Sequence, residues 1–412
     1  MIEYIQMSKF IPKASLGVTF PRGFRAAGVV AAVKYANRRD FALVVPDAPA
    51  AVAGVFTTNA VAAAPVRYDR ALVKRGRLSA IAVNTGFANA CTGARGEADV
   101  LEYAQLVSKA LGVAAEEVAV CSTGVIGVPL PMDRIAEGVR LAAADLAATP
   151  EAADNAAHAI MTTDTVPKQA SLSFEVEGRE VRLGGMSKGA GMIEPNMATM
   201  LAFVTTDAEV APADLDGVVR EAAGVSFNRI VIDNDRSTND SLFLVAGGAS
   251  GVRLAPGLPG WDDFREAVKA LCLCLAKQHV MDGEGVSKFV TVKVSGAKSA
   301  ADAQLAARSI ARSMLVKTSW YGADPNWGRV ICAVGYSGAA IEEGKTTISY
   351  DGVAAFDKGS VAGNKTLQEL ARILKKREFA LDVDLGLGDG ECVIYTSDLT
   401  HEYVTINADY TT

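Results

Sequence analysis

The chain has 412 residues, enough for two or three domains, and half of its residues are hydrophobic, which suffices for a large core. Its formal net charge of −6 is mild and no block of Lys and Arg stands out, so the composition argues against a nucleic-acid partner. It has no apolar run of about 18 residues and no secretory signal, so we expect no membrane span and a cytoplasmic protein.

Strand-like and helix-like segments alternate through the first half of the chain. Buried strands are predicted within residues 42–59, 79–86 and 116–127. Amphipathic or capped helices are predicted at 98–113, 132–148 and 149–161. Thr149 is the expected N-cap of the last of these helices, because Pro150 follows it in the first turn.

The second half continues the mixture. Residues 171–185 alternate by twos around a Glu-Gly turn and predict a hairpin, which is followed by a strand at 199–210. Further helices are predicted at 212–224, 261–278, 299–315 and 365–376. Further strands are predicted at 241–248, 289–296, 346–352, 379–386 and 392–398. Hairpin-type connections among so many helices favour an α+β sandwich over a purely parallel sheet.

The cysteines and histidines do not form a metal-binding pattern. The six cysteines are scattered and include no CxxC, and the chain has three histidines. We therefore expect free, reduced thiols and no metal site.

A Gly- and Pro-containing loop, KGAGMIEPNMA, leads directly into a strand that begins with Thr199. One interpretation of Thr199 is a β-branched strand residue that is hydrogen-bonded in the core. The other is a self-cleaving nucleophile whose hydroxyl attacks the carbonyl of Ala198, so that hydrolysis releases a new N-terminal Thr. Its amine, with an ordinary pKa of about 7.7–8.0, would then serve as the base.

A second candidate is Thr123-Gly124, in a loop after a strand. A hydroxyl and a backbone N–H there can form an oxyanion hole, although an ordinary glycine turn is the simpler alternative. Two further loops stay ambiguous: 231–240 could be a cation loop or a hydrogen-bonded turn, and 317–329 could be aromatic packing or a pocket lining.

The chain as a whole resembles the ornithine acetyltransferase family, the glutamate N-acetyltransferases of arginine biosynthesis. The segments that carry the resemblance are GVTFPRGFRAAGV, VFTTNAVAAAPV, NTGFANACTG, STGVIG, IMTTDTVPK, MSKGAGMIEPNMATML, FNRIVIDNDRSTND, MDGEGVSKF, DPNWGR and YVTINADYTT. They follow one order over nearly the whole chain, and the segment around Thr199 is highly specific.

The resemblance implies cleavage between Ala198 and Thr199. The products would be an α chain, 1–198, and a β chain, 199–412, assembled as a heterotetramer of two α and two β chains. Thr199 would be the nucleophile and Thr123 and Gly124 the oxyanion hole. The implied substrate contacts are Thr162, Lys188, Thr199, Glu284, Asn407 and Thr412. The implied fold is an α/β sandwich like that of the aminopeptidase DmpA, and not like that of the four-layered Ntn hydrolases.

The implied reaction is ping-pong transfer of an acetyl group from N-acetylornithine to glutamate through an acetyl ester on Thr199. No cofactor is expected, and whether acetyl-CoA also serves as donor stays open. A DmpA-like self-processing aminopeptidase or amidase is the enzymatic alternative. A non-catalytic binding protein, which would remain one intact polypeptide, is the third.

Overall fold

The computed structural model describes residues 8–194 and 200–409, which contain nineteen β-strands and eleven α-helices. The strands are β1 Phe24–Val29, β2 Phe41–Pro46, β3 Ala50–Phe56, β4 Arg77–Leu78, β5 Ala80–Phe87, β6 Val118–Val125, β7 Lys168–Val176, β8 Arg179–Lys188, β9 Leu201–Thr206, β10 Glu209–Val210, β11 Ile230–Val231, β12 Ser241–Ala246, β13 Arg253–Leu254, β14 Phe289–Ala297, β15 Thr347–Tyr350, β16 Val353–Asp357, β17 Ser360–Val361, β18 Glu378–Asp384 and β19 Gly390–Ser397. The helices are α1 Ala64–Val73, α2 Gly93–Leu111, α3 Met132–Ala144, α4 Pro150–Ala159, α5 Pro212–Val225, α6 Trp261–Met281, α7 Ala300–Arg312, α8 Met314–Tyr321, α9 Trp327–Gly335, α10 Asn364–Leu374 and α11 His401–Asp409.

Two sheets form a sandwich whose strands β6, β8 and β9 supply residues of the candidate site. One has the order β1-β2-β5-β6 and the other the order β4-β3-β12-β9-β8-β7. Apolar residues of both sheets, among them Val83 of β5 and Phe203 of β9, share one buried cluster with residues of α1 and α4. Burial of this shared apolar surface holds the two sheets face to face.

A helix layer covers the outer face of each sheet. Helices α2 and α3 pack on the four-stranded sheet in one apolar cluster. Helices α5 and α6 pack on the six-stranded sheet in another. The order of layers is therefore helix, sheet, sheet, helix. The predicted α+β sandwich is confirmed, but the expectation that it is not four-layered was wrong, because the outer face of each sheet buries apolar residues against a pair of helices.

The third large sheet has the order β11-β19-β14-β18-β15-β16-β17 and a core of its own. Residues of α7, α8, α9 and α10 pack in this core, where Trp320 is fully buried. Along the chain, the last strand of this sheet, β19, is followed by α11, which contains Asn407. Among the described residues, no helix is both long enough and apolar enough to span a bilayer.

Local sequence signals account for several boundaries. Thr149 Oγ1 accepts a hydrogen bond of 3.1 Å from the Ala152 N–H, so the predicted N-cap of α4 is confirmed. β7 and β8 form the predicted hairpin, paired without interruption from Lys168–Ser187 to Val176–Arg179. Its turn residues Glu177 and Gly178 both have positive φ, as a tight two-residue turn requires.

Other predictions were wrong in detail. Residues 299–315 were expected to form one helix, but α7 ends at Arg312 and α8 begins at Met314. Between them Ser313 is extended and accepts a hydrogen bond from the Val316 N–H, so it starts a new helix. Much of the expected loop 317–329 is helical, and Trp327 stacks on Phe356 at 4.7 Å, which is the aromatic packing alternative.

Candidate active site

A cavity of about 240 Å³ opens between the two-sheet sandwich and the C-terminal helix. Six residues that the sequence predicted for the site line it, namely Thr123, Gly124, Thr162, Lys188, Glu284 and Asn407. They come from five separate segments of the chain, so the fold brings together what the sequence keeps far apart. Ala198, Thr199 and Thr412 lie outside the described residues, although Met200 and Leu201 line the same cavity.

Thr123 and Gly124 were expected in a loop after a strand, but they lie within β6, which pairs in parallel with β5 so that Gly124 stands opposite Gly86. Gly124 has a φ of 125°, a conformation that side-chain-bearing residues rarely adopt. A Cβ atom on Gly124 would lie 2.4 Å from the carbonyl carbon of Gly86. Glycine is therefore required here both by conformation and by close approach.

The amide side chains of Asn239 and Asn84 hydrogen-bond to Ser122, the residue before this segment. Asn239 Nδ2 donates to the Ser122 carbonyl at 2.8 Å and to the Ala88 carbonyl at 2.6 Å. The Ser122 hydroxyl donates to Asn84 Oδ1 at 2.7 Å. These bonds fix the backbone just before Thr123, so its hydroxyl and the adjacent N–H groups have a preorganised direction.

Lys188 ends β8 and lies at the cavity with a side chain that is mostly buried. Its Nζ donates to Thr123 Oγ1 at 3.2 Å, which links a predicted substrate contact to a predicted oxyanion-hole residue. Burial and the neighbouring Lys168 ammonium lower the pKa of Lys188 below its ordinary value, although the carboxylates of Asp164, Asp240 and Glu284 oppose this shift. The ammonium is therefore poorly hydrated and available for charge-assisted hydrogen bonds with an anion.

Glu284 and Asn407 meet across the cavity. Asn407 Nδ2 donates to Glu284 Oε2 at 2.7 Å, and the Glu284 N–H donates to the Ala190 carbonyl at 2.9 Å. The sequence places Glu284 between two glycines, which predicts a mobile, exposed carboxylate; it is in fact buried. Gly191 explains this difference, because a Cβ there would come within 2.4 Å of the Glu284 carboxylate. A bare backbone thus lets the carboxylate pack beneath the loop.

The loop 231–240 forms one wall and is a hydrogen-bonded turn. Asp233 accepts hydrogen bonds from the N–H groups of Met192 and Ile193, at 2.6 and 2.7 Å, and one from the Tyr403 hydroxyl at 3.3 Å. The Asp233 carboxylate is thus occupied by donors. Within residues 8–194 and 200–409, no group of three or more His, Cys, Asp or Glu side chains is arranged to hold a metal ion.

Asp240, at the end of this loop, is a site residue that sequence reasoning missed. It lines the cavity and is 2% exposed, and no donor among the described residues reaches its Oδ2. Burial raises the pKa of Asp240 well above its ordinary value, which is only partly offset by hydrogen bonding from Ser237 and by Lys188. Its signal lay in the loop DNDRSTND, but sequence alone does not tell which of several carboxylates points inward.

Comparison with known proteins decides the family. The sequence model of the ArgJ family matches residues 25–412. The chain belongs to the ArgJ family. The family predicted from the motifs is confirmed, and so is the prediction of an acetyltransferase of arginine biosynthesis.

Two ArgJ relatives show how far the similarity extends. The arginine biosynthesis bifunctional protein ArgJ of Geobacter sulfurreducens is 50% identical over 392 residues, 95% of this chain and 99% of the relative. The protein of the same name from Symbiobacterium thermophilum is 47% identical over 400 residues, 96% of this chain and 98% of the relative. A crystal structure of ornithine acetyltransferase complexed with ornithine, from Mycobacterium tuberculosis, is 46% identical over the matched part. That match covers 46% of this chain and 100% of that chain, with a TM-score of 0.43.

Proposed function

We propose that this protein transfers an acetyl group from N-acetylornithine to glutamate by a ping-pong mechanism, through an acetyl ester on Thr199. The observation that carries the proposal is the single cavity lined by Thr123, Gly124, Lys188, Glu284 and Asn407. Met200, the residue that follows Thr199 in the chain, lines this cavity too. Family membership supports the reaction class.

The proposal begins with self-cleavage. The Thr199 hydroxyl attacks the carbonyl carbon of Ala198, the peptide nitrogen leaves, and the resulting ester is hydrolysed by one water. The products are chains 1–198 and 199–412, the second of which begins with a free amine. An N-terminal amine has an ordinary pKa of about 7.7–8.0, so close to neutral pH it can accept the proton of its own hydroxyl.

In the first half-reaction, Thr199 Oγ1 bonds to the acetyl carbon and its proton passes to the Thr199 amine. The negative charge that develops on the acetyl oxygen is met by the Thr123-Gly124 segment, whose position is fixed by Asn239. The bond to the ornithine nitrogen then breaks, and that nitrogen takes the proton as it leaves. An acetyl ester remains on Thr199.

In the second half-reaction, the α-amine of glutamate attacks the ester, and Thr199 Oγ1 leaves and recovers a proton. Ornithine and glutamate share an α-carboxylate but differ in side-chain charge. We assign the shared carboxylate to Lys188, because its poorly hydrated ammonium faces the cavity beside Thr123. We assign an ammonium group to Glu284, which Asn407 holds in place.

The test is turnover with purified protein, N-acetylornithine and glutamate, measured as N-acetylglutamate and ornithine. We expect equimolar products, loss of turnover in Thr199→Ala, and partial turnover in Thr199→Ser, which keeps a hydroxyl. A parallel reaction with acetyl-CoA and glutamate determines whether that thioester also serves as donor. Release of free acetate at a rate independent of glutamate would instead support the aminopeptidase or amidase alternative.

We further propose that two copies of each cleaved chain form a heterotetramer, as the resemblance implies. Sedimentation of the purified protein should give the mass of two complete 412-residue copies. A sedimentation mass of one copy would contradict this assembly without affecting the chemistry.

A further inference from the structure

A buried ion triad lies beneath the floor of the cavity. Lys168 Nζ is 2.6 Å from Asp164 Oδ1 and 2.6 Å from Asp282 Oδ2. The Lys168 and Asp164 side chains are fully buried and that of Asp282 is 6% exposed. None of the three belongs to the described residues that line the cavity, so the triad acts on the site from outside it.

Asp164 connects two of the predicted substrate-contact segments. Its Oδ2 accepts the Thr162 N–H at 3.0 Å, and its Oδ1 accepts the Gly189 N–H at 2.7 Å. The peptide that contains the Gly189 N–H is the one that follows Lys188. The pKa of Asp164 is lowered, because attraction to Lys168 and Lys188 and its hydrogen bonds outweigh the effect of burial. Asp164 is therefore charged at neutral pH.

Asp282 connects the third substrate-contact segment, that of Glu284, to the backbone of residues 165–166. It follows α6 and lies two residues before Glu284. Its carboxylate accepts the backbone N–H groups of Thr165 and Val166, at 3.1 and 3.4 Å, together with the Thr165 hydroxyl. Asp164 therefore hydrogen-bonds the backbone next to Thr162 and Lys188. Asp282, at the start of the Glu284 segment, hydrogen-bonds the backbone of Thr165. The Lys168 ammonium joins these two carboxylates.

We infer that Lys168 is a positioning residue: it joins Asp164 to Asp282 and thereby sets the relative positions of Thr162, Lys188 and Glu284. The roles of these three contacts rest on the proposed function, whereas the link that the ion triad makes between their segments rests on the measured distances. The ammonium groups of Lys168 and Lys188 both attract the Asp164 carboxylate. Asp240 and Glu284 face Lys188 from other elements.

These charges predict where the Lys188 ammonium lies when Lys168 is replaced. In Lys168→Met, Asp164 loses its ammonium partner, and Lys188 is the other ammonium group that attracts it. The Lys188 ammonium should turn from the cavity toward Asp164, because a buried unpaired carboxylate strongly attracts the nearest charge. The substrate carboxylate then loses its anchor. In Lys168→Met/Asp164→Asn the competing carboxylate is gone, and Lys188 should stay at the cavity.

The experiment measures ornithine binding by titration calorimetry, so that it does not depend on turnover, beside the KM for N-acetylornithine. Lys168→Met should weaken ornithine binding and raise the KM by about tenfold or more, and the double variant should recover most of that loss. Lys317→Met is the matched control. Lys317 is another buried lysine, and its ammonium bonds Thr396 Oγ1 at 3.0 Å and the Ser397 carbonyl at 2.6 Å. Its replacement should leave ornithine affinity within about threefold.

Equal losses of affinity in Lys168→Met and the double variant would overturn the inference, since general loosening of the fold affects both. An equal loss in Lys317→Met would overturn it too. If Lys168→Met does not fold, Asp282→Asn decides, because it keeps the shape but removes the charged link to the Glu284 segment. That variant should weaken ornithine binding about threefold or more. Unchanged affinity would refute the inference that the ion triad positions the site. Failure of the wild-type protein to transfer acetyl groups would contradict the proposed function alone.

Discussion

At the scale of single residues, the Thr123-Gly124 segment, the proposed oxyanion hole, depends on a backbone conformation and a close approach that only glycine permits. Gly124 combines a φ of 125° with contact against the backbone of Gly86. Gly127, three residues later, also has a positive φ, of 84°, but nothing lies within 4 Å of the position of its Cβ. A comparison of Gly124 with Gly127 therefore separates the effect of backbone strain from that of steric overlap.

We therefore predict different outcomes for two alanine variants. Gly127→Ala should lower the free energy of unfolding by roughly 1–3 kcal/mol through backbone strain and leave turnover nearly intact. Gly124→Ala should lower it by roughly 1–3 kcal/mol more, because Cβ must displace the Gly86 backbone, and should abolish turnover. Denaturant unfolding and initial rates measure both quantities. Equal turnover in the two variants would contradict the role of Gly124.

Residues in distinctive motifs could be predicted to come together from the sequence, whereas residues whose position depends on burial could not. Thr123, Lys188 and Glu284 lie in distinctive segments and meet at one cavity. Asp240 and Lys168 lie in segments that were singled out, yet neither was named. Which of several carboxylates and ammonium groups is buried depends on tertiary packing, and one sequence carries no direct record of that.

At the scale of elements, the C-terminal helix contributes to the site without contributing to a core. None of the described residues of α11 is buried. Polar contacts hold the helix: Tyr403 to Asp233, Asn407 to Glu284, and the Thr400 hydroxyl, just before it, to the Gly285 carbonyl at 2.7 Å. The ring of His401 also packs edge-on against Tyr321, with 5.6 Å between the ring centroids. Removal of the helix should therefore affect catalysis far more than folding.

Deletion of residues 407–412 tests this separation. We expect turnover to fall by about 100-fold or more, because Glu284 loses its Asn407 partner and small displacements at a reacting centre are costly. The melting temperature should change by no more than about 2 °C. Thr405→Ala, on an exposed position of the same helix, is the control and should keep turnover. Full activity after the deletion would refute the assignment of Asn407 and Thr412.

Most elements could be predicted because apolar periodicity and turn residues mark them directly. The sequence did not predict α9 as a helix, since Trp, Gly and Pro in KTSWYGADPNWGR indicate a loop. Asn326 provides the missing signal, because its side chain accepts the Arg329 N–H at 3.1 Å and starts α9. Tertiary contacts, such as Trp327 stacked on Phe356, then stabilise a helix that local propensity does not favour.

At the scale of the whole molecule, the predicted cleavage point lies between strands of one sheet. In the six-stranded sheet, β8 precedes residues 195–199 in the chain and β9 follows them, and the two strands pair from Leu183–Thr206 to Lys188–Leu201. Strands β3 and β12, from either side of the cleavage point, also pair. Chains 1–198 and 199–412 would therefore share one hydrogen-bonded sheet and two apolar cores.

Intact mass measurement of freshly purified, active protein tests the central claim most directly. We predict that under denaturing conditions the protein gives two species, with the masses of residues 1–198 and 199–412. In non-denaturing buffer the two should elute together, because the shared sheet holds them. Thr199→Ala should give one species with the mass of all 412 residues and no turnover. A wild-type protein that transfers acetyl groups at its full rate as a single unbroken chain would contradict the account.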